Sequence, residues 1–232
     1  MSGEDPLALI SRVLGDEQSA NRGRTGVACY VAVGDSFTAG TGCGPGEAWP
    51  ELLAEALRAS NGEVAYRNLA FDGATSADVI EQLGTALQLE PDLITAVCGA
   101  NDVLRSTRPD VDGYARRMAR ILRRLQAAVP EARIVTATAP EGWNFLPLGR
   151  RTRERVERGI RAMNAQTRQI AAAHGVPCLE VAGHPGLVEP ENFSDDGLHP
   201  SALGHAHAAS AFAATLREHF DIDCADPKGG TR

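Results

Sequence analysis

No stretch of this chain stays apolar for the roughly 18 residues that a membrane-spanning helix requires, so stable membrane insertion is not expected. Cysteine is sparse and scattered. Its five residues, Cys29, Cys43, Cys98, Cys178 and Cys224, are odd in number and lack the close pairing of a zinc site, so no metal is expected. Cys29, Cys98 and Cys178 fall in apolar runs, where cysteine serves as a small buried hydrophobe. Cys43, in a glycine-rich segment, is the thiol expected to be open to labelling. Positive charge is not in excess either. Lys and Arg number 23 against 30 Asp and Glu, a net charge of −7 that argues against general nucleic-acid binding. The opening residues, Met-Ser-Gly-Glu-Asp-Pro, are acidic and have no long apolar core, so they do not read as a secretory leader and the expected location is the cytoplasm.

What is present is ordinary for one enzyme-sized domain. The 232 residues are 43% hydrophobic and contain no internal repeat. The expected organisation is an N-terminal extension over 1–26 with a short helix at 5–14, a single domain over 27–220, and a flexible tail over 221–232. Short β-rich runs at 28–33, 64–68, 93–98, 134–139 and 178–181 alternate with helical patterns at 48–59, 75–87, 110–128, 152–174 and 201–220. The runs have almost no alternating polar residues and therefore need cover on both faces, as buried parallel strands do. The order predicts a three-layer α/β/α domain with a central parallel five-stranded sheet. Ligands of such sheets bind beyond the carboxyl ends of the strands. Ser36, Gly73 and Asn101 follow the first three strands and should meet at that edge.

Three islands have chemical content: Gly34-Asp35-Ser36-Phe37-Thr38-Ala39-Gly40, Gly99-Ala100-Asn101-Asp102, and Asp195-Asp196-Gly197-Leu198-His199-Pro200. Acyl transfer by serine needs a hydroxyl, a base to take its proton, and donors for the developing oxyanion. Ser36 offers the hydroxyl. His199 offers an imidazole, the side chain that changes charge near neutrality. An acid stands three or four residues before it, Asp196 first and Asp195 second. Asp35 is expected to make local backbone contacts only.

In order and spacing these islands, with Asn68-Leu69-Ala70-Phe71-Asp72-Gly73-Ala74-Thr75-Ser76, resemble the four blocks of the SGNH (GDSL-like) hydrolase family, with Phe37 where that family more often has Leu. The matched blocks run from Val33 to His199. The resemblance implies a flavodoxin-like fold and a serine esterase that needs no cofactor. It also implies Ser36, His199 and Asp196 as catalytic residues, and an oxyanion hole built from the Ser36 and Gly73 N–H groups and the Asn101 side-chain amide. The expected partner is a small-molecule acyl ester. A thioesterase, an acyltransferase, or a silent binding domain on the same fold are the alternatives. Substrate and oligomeric state are left open.

Other features are less directive. The segment 141–149 is rich in large apolar groups and reads either as an acyl pocket wall, with Trp143, Phe145 and Leu146 touching substrate, or as ordinary loop packing. Trp49 either lines the site or anchors the first long helix. His205 and His207 point to different faces of a helix and read as solvated. Arg150, Arg151, Arg153, Arg155, Arg158, Arg161 and Arg168, interleaved with Glu154 and Glu157, read as a solvated, ion-paired face. A phosphate-bearing substrate arm is the alternative for that segment.

Overall fold

The structure, a computed structural model, describes residues 26–141 and 145–226. The expected helix at 5–14 and Trp143 therefore lie outside the described residues. Five parallel strands form one sheet: β1 (Cys29–Gly34), β2 (Ala65–Asn68), β3 (Leu93–Val97), β4 (Arg133–Ala137) and β5 (Cys178–Leu179), in the order β2-β1-β3-β4-β5. Tyr30 aligns with Leu93, Leu93 with Arg133, and Thr136 with Cys178. The helices are α1 (Ser36–Ala39), α2 (Trp49–Asn61), α3 (Ser76–Gln88), α4 (Ala100–Leu104), α5 (Val111–Ala128), α6 (Arg150–Ala173) and α7 (Ala202–Phe220).

The period of two along each strand divides the core in half. Val31, Val33, Ile94 and Ala96 pack with Val79 and Leu83 of α3, Met118 and Leu122 of α5, and Ile160 and Met163 of α6. Tyr30, Ala32, Leu93 and Val97 face the other way, onto Trp49, Leu53 and Leu57 of α2 and Phe212 and Leu216 of α7. Trp49 is fully buried and stacks on Phe212 at 4.0 Å between centroids, so it anchors α2. With helices on both faces the molecule is the expected α/β/α sandwich. In this strand order, β1 sends its chain to one face and β3 sends its chain to the other. A crevice opens between them at the carboxyl edge.

Polar side chains fix where the elements begin and end. Thr75 caps α3 through a capping box with Asp78, and Asp110 caps α5 by accepting from the Gly113 N–H. β5 is shorter than the expected 178–181 because Thr138 Oγ1 accepts from the amides of Val181 and Ala182 at 2.8 and 3.0 Å, replacing the next ladder partners.

Gly34 ends β1 where a Cβ would lie 2.4 Å from the Val97 carbonyl oxygen and 2.6 Å from Thr38 Oγ1. A backbone oxygen in a central strand has little freedom to move. Gly34→Ala should therefore destabilise the fold by about 2 kcal/mol or more. Gly84, on α3, has nothing within 4 Å of a built Cβ, and Gly84→Ala should stabilise by about 0.5–1 kcal/mol. Urea denaturation of the two variants measures both signs.

Candidate active site

Ser36 is delivered by a tightly held turn. The buried amide of Gln82 brackets the last peptide of β1: its Oε1 accepts from the Gly34 N–H and its Nε2 donates to the Gly34 carbonyl, each at 2.8 Å. Asp35 follows, buried, and accepts from the Phe37 N–H at 3.2 Å, which caps the single turn α1 that Ser36 opens. Burial pushes the Asp35 carboxyl up to about 7 against the opposing pull of the Phe37 amide and of His199. Gly40, in the left-handed region at φ 93°, ends the turn.

His199 approaches from the loop before α7. That loop is closed by the bridge between Phe193 and Pro200 and by the Ser194 N–H donating to the His199 carbonyl at 2.8 Å. His199 Nε2 lies 2.9 Å from Ser36 Oγ, and its Nδ1 lies 2.6 Å from Asp196 Oδ2. A carboxylate can only accept, so the ring proton belongs on Nδ1 and the Nε2 lone pair faces the Ser36 hydroxyl. The other oxygen of Asp196 accepts from Ser194 Oγ and from the Leu198 and His199 amides at 2.9, 2.8 and 2.9 Å. Partial burial works to raise its pKa. The ring of His199 and these three donors outweigh it and hold the carboxyl well below the usual carboxylate range. The carboxylate that meets the imidazole is thus that of Asp196, not its neighbour Asp195.

Gly73 and Asn101 come from the next two loops. Gly73 has φ 76°, and its carbonyl accepts from Arg105 Nη1 at 2.7 Å. Asn101 Nδ2 donates one hydrogen to the Ala74 carbonyl at 3.0 Å, and a primary amide has a second to give. Gly99 sets up this turn at φ 126°, where a Cβ would lie 2.5 Å from Met163 Sδ. Asp102, next to Asn101, supports this loop through a largely buried network. Its carboxylate accepts from the Ser76 amide and hydroxyl at 2.8 and 2.6 Å and from Arg117 Nη2 at 2.9 Å. It thereby ties the start of α3 to α4. Ser36, Gly73, Asn101 and His199 line one cavity of about 340 Å³.

The wall of that cavity is not the one expected. Phe145 and Leu146 do not line it. Phe145 packs against Phe193 with the rings tilted by 48° and their centroids 4.9 Å apart, and Leu146 packs against the core, because Phe145 folds back over Gly197. The wall comes instead from Leu179, Val181 and Leu187 and from Gly204, Ala208 and Ala211 of α7. These small residues recur four and then three positions apart, so they share one face of α7.

His205 is not solvated, and His207 is part-buried. His205 is fully buried, accepting from the Trp49 N–H and facing the Thr41 carbonyl, both at 3.3 Å, and burial lowers its pKa. His207 lines the cavity and meets Asn192 Oδ1 at 3.0 Å. Cys43 donates to the Gly40 carbonyl, and burial, with Glu47 and Glu51 nearby, pushes its thiol up to about 11, so it is a poor nucleophile. In the arginine-rich helix, Arg155 donates to the Val103 and Ser106 carbonyls and Arg168 pairs with Glu180, which makes both structural ties between elements. Among the described residues, no group of three or more His, Cys, Asp or Glu could hold a metal ion, and no helix is long and apolar enough to cross a membrane.

A protein-family model described as the GDSL-like lipase/acylhydrolase family matches residues 32–207. A GDSL-like esterase of Mycobacterium tuberculosis is 32% identical over 197 residues, 80% of this chain, and the match spans 60% of that relative's length. An Escherichia coli protein named thioesterase 1, protease 1 and lysophospholipase is 28% identical over 83% of this chain and 85% of its own. Among solved structures, the esterase EstA of a Pseudoalteromonas species superposes with a TM-score of 0.67 at 20% identity, over 83% of this chain and 98% of that one. A lipase/acylhydrolase from Enterococcus faecalis superposes with 0.67 at 24% identity, over 82% and 96%.

The buried carboxyl of Asp35 makes stability depend on pH. Its folded pKa, near 7, lies above the ordinary 3.8, so between those values the folded chain binds the extra proton and stability falls as pH rises. Relative to Asp35→Asn, the wild type should lose about 1.4 kcal/mol between pH 6 and pH 8. Urea midpoints of both proteins across that range test it.

Proposed function

This chain belongs to the GDSL-like lipase/acylhydrolase family, and from that premise we propose that it is a serine hydrolase of carboxylic esters acting through an acyl-enzyme on Ser36. The observation that supports this most directly is the unbroken chain of short contacts from Ser36 Oγ through His199 to Asp196, 2.9 and 2.6 Å long. Ser36 Oγ attacks the ester carbonyl carbon as its proton passes to His199 Nε2. The tetrahedral oxyanion is held by the Ser36 and Gly73 N–H groups and the second amide hydrogen of Asn101. Collapse expels the alcohol, which takes the proton from the imidazolium. A water then repeats the sequence on the acyl-enzyme, giving up its proton to His199, and frees the acid. Asp196 fixes the tautomer and faces the positive charge while it lasts.

The E. coli relative, whose name includes thioesterase, supports a thioester as a second acyl donor for the same residues. Rates on matched oxygen esters and thioesters compare the two leaving groups at the same residues.

Ser36→Ala and His199→Ala should each lower kcat on p-nitrophenyl butyrate by at least about four orders of magnitude. Asn101→Ala should lower it by about two to three, and Asp196→Asn should cost less than losing Ser36 or His199. A fluorophosphonate should label wild type at Ser36, mapped by mass spectrometry, and leave Ser36→Ala unlabelled. Labelling elsewhere, or full turnover by Ser36→Ala, would sink the assignment.

A further inference from the structure

The cavity that starts at Ser36 continues well past the catalytic residues. It follows α7 along Ala208 and Ala211, whose short side chains leave it open, while at Gly204, on the same helix face, the Asn192 carbonyl closes in at 2.2 Å from a built Cβ. From position 204 to 211 the helix rises about 10 Å, the reach of a medium-length acyl chain. Leu179, Val181 and Leu187 complete the apolar lining. At His184, Gly186, His207 and Ala211 this cavity adjoins a second, of about 440 Å³, because those four residues line both.

The second cavity has a different chemistry. Its lining adds Pro185, Glu189 and Ser210, and it is an open depression in which His184, Pro185 and Glu189 are exposed. Glu189 accepts from Asn192 Nδ2 through one carboxyl oxygen, Oε2, at 3.1 Å. Ser210 spends its proton on the Ala206 carbonyl at 3.0 Å, so toward a ligand its oxygen is an acceptor. His184 Nδ1 accepts from the Gly186 N–H at 3.1 Å, which puts the proton of the neutral ring on Nε2. Of these three side chains, Glu189 and Ser210 face a ligand as acceptors and His184 as a donor.

We propose that the acyl chain lies along the Ala208–Ala211 face with its far end in this open polar depression, and that the preferred substrates are esters of ω-hydroxyacyl chains. The proposal rests on Ser36 being the nucleophile. A methyl terminus reaching this open depression gains little burial and displaces water from polar groups. A terminal hydroxyl instead donates to Glu189 or Ser210 and accepts from His184. A terminal carboxylate would meet Glu189 with like charge and bring no proton to share.

The test compares p-nitrophenyl hexanoate, octanoate and decanoate with their ω-hydroxy counterparts, with p-nitrophenyl acetate as the reference for chemistry at Ser36. In the wild type, kcat/KM for the hydroxylated ester of at least one length should exceed that of its alkyl partner by about tenfold, the worth of one hydrogen bond to a charged acceptor. The ratio within each pair should fall towards one in Glu189→Ala and decrease in Ser210→Ala. Ala211→Phe, which blocks the junction, should lower octanoate relative to acetate. No preference at any length in the wild type, or a preference that survives both Glu189→Ala and Ser210→Ala, overturns the proposal. Absence of acetate hydrolysis by wild type would overturn the esterase reading and this one with it, a result distinct from the other two.

Discussion

A β-carbon on residue 34 would sit 2.4 Å from the carbonyl oxygen of Val97, so β1 and β3 can close up at their carboxyl ends only because that position is bare. Everything at the site depends on this contact. The two strands carry Ser36 and Asn101 a few residues beyond their ends, and the chain then leaves for opposite faces of the sheet. Spread the strands and the hydroxyl and the amide separate with them. Gln82 reinforces the contact from α3 by satisfying both polar groups of the Gly34 peptide. The last residue of β1 is thus held by sterics on one side and by hydrogen bonds on the other.

The same device recurs around the crevice. Asn164, fully buried on α6, donates to the Ala139 carbonyl and accepts from the Ala139 N–H at 2.8 Å each, fixing the chain just past β4. Asp102 joins α3, α4 and α5 through Ser76 and Arg117. Each of these side chains does what the sheet ladder cannot do beyond its last pair, which is to give the backbone a partner inside the protein. An unpaired buried group of this kind costs about 1–3 kcal/mol. The networks therefore specify one arrangement of the loops as well as stabilising it.

The sheet was legible in the amino-acid sequence because buried parallel strands are almost uniformly apolar, as Tyr30 to Val33 and Leu93 to Val97 are. β5 was legible only in part, since its early end depends on a side chain forty residues away, Thr138. Ser36, Gly73, Asn101, Asp196 and His199 could be singled out because they stand in compact blocks, most of them directly after strands. The cavity wall could not be. It arises where α7 docks beside β5, and Ala208 and Ala211 look like ordinary helix formers until that docking is known. Gln82 and Asn164 left a fainter mark: each interrupts an apolar stripe, Gln82 among Val79, Leu83 and Ala86, and Asn164 beside Ile160, Met163 and Thr167. A polar residue on the buried face of a helix asks for a partner, but sequence alone does not say which.

Asp196 is about half exposed, yet its carboxylate is surrounded by four donors, all of them contributed by residues within three positions of it. Its orientation therefore comes from a local turn and not from burial. In the proposed reaction a positive charge appears on the imidazole and disappears again within each half of the cycle. Water would have to reorient around that charge each time, whereas the turn presents a carboxylate already aimed. The solvent reorganisation is done once, when the loop folds, and each turnover is spared it.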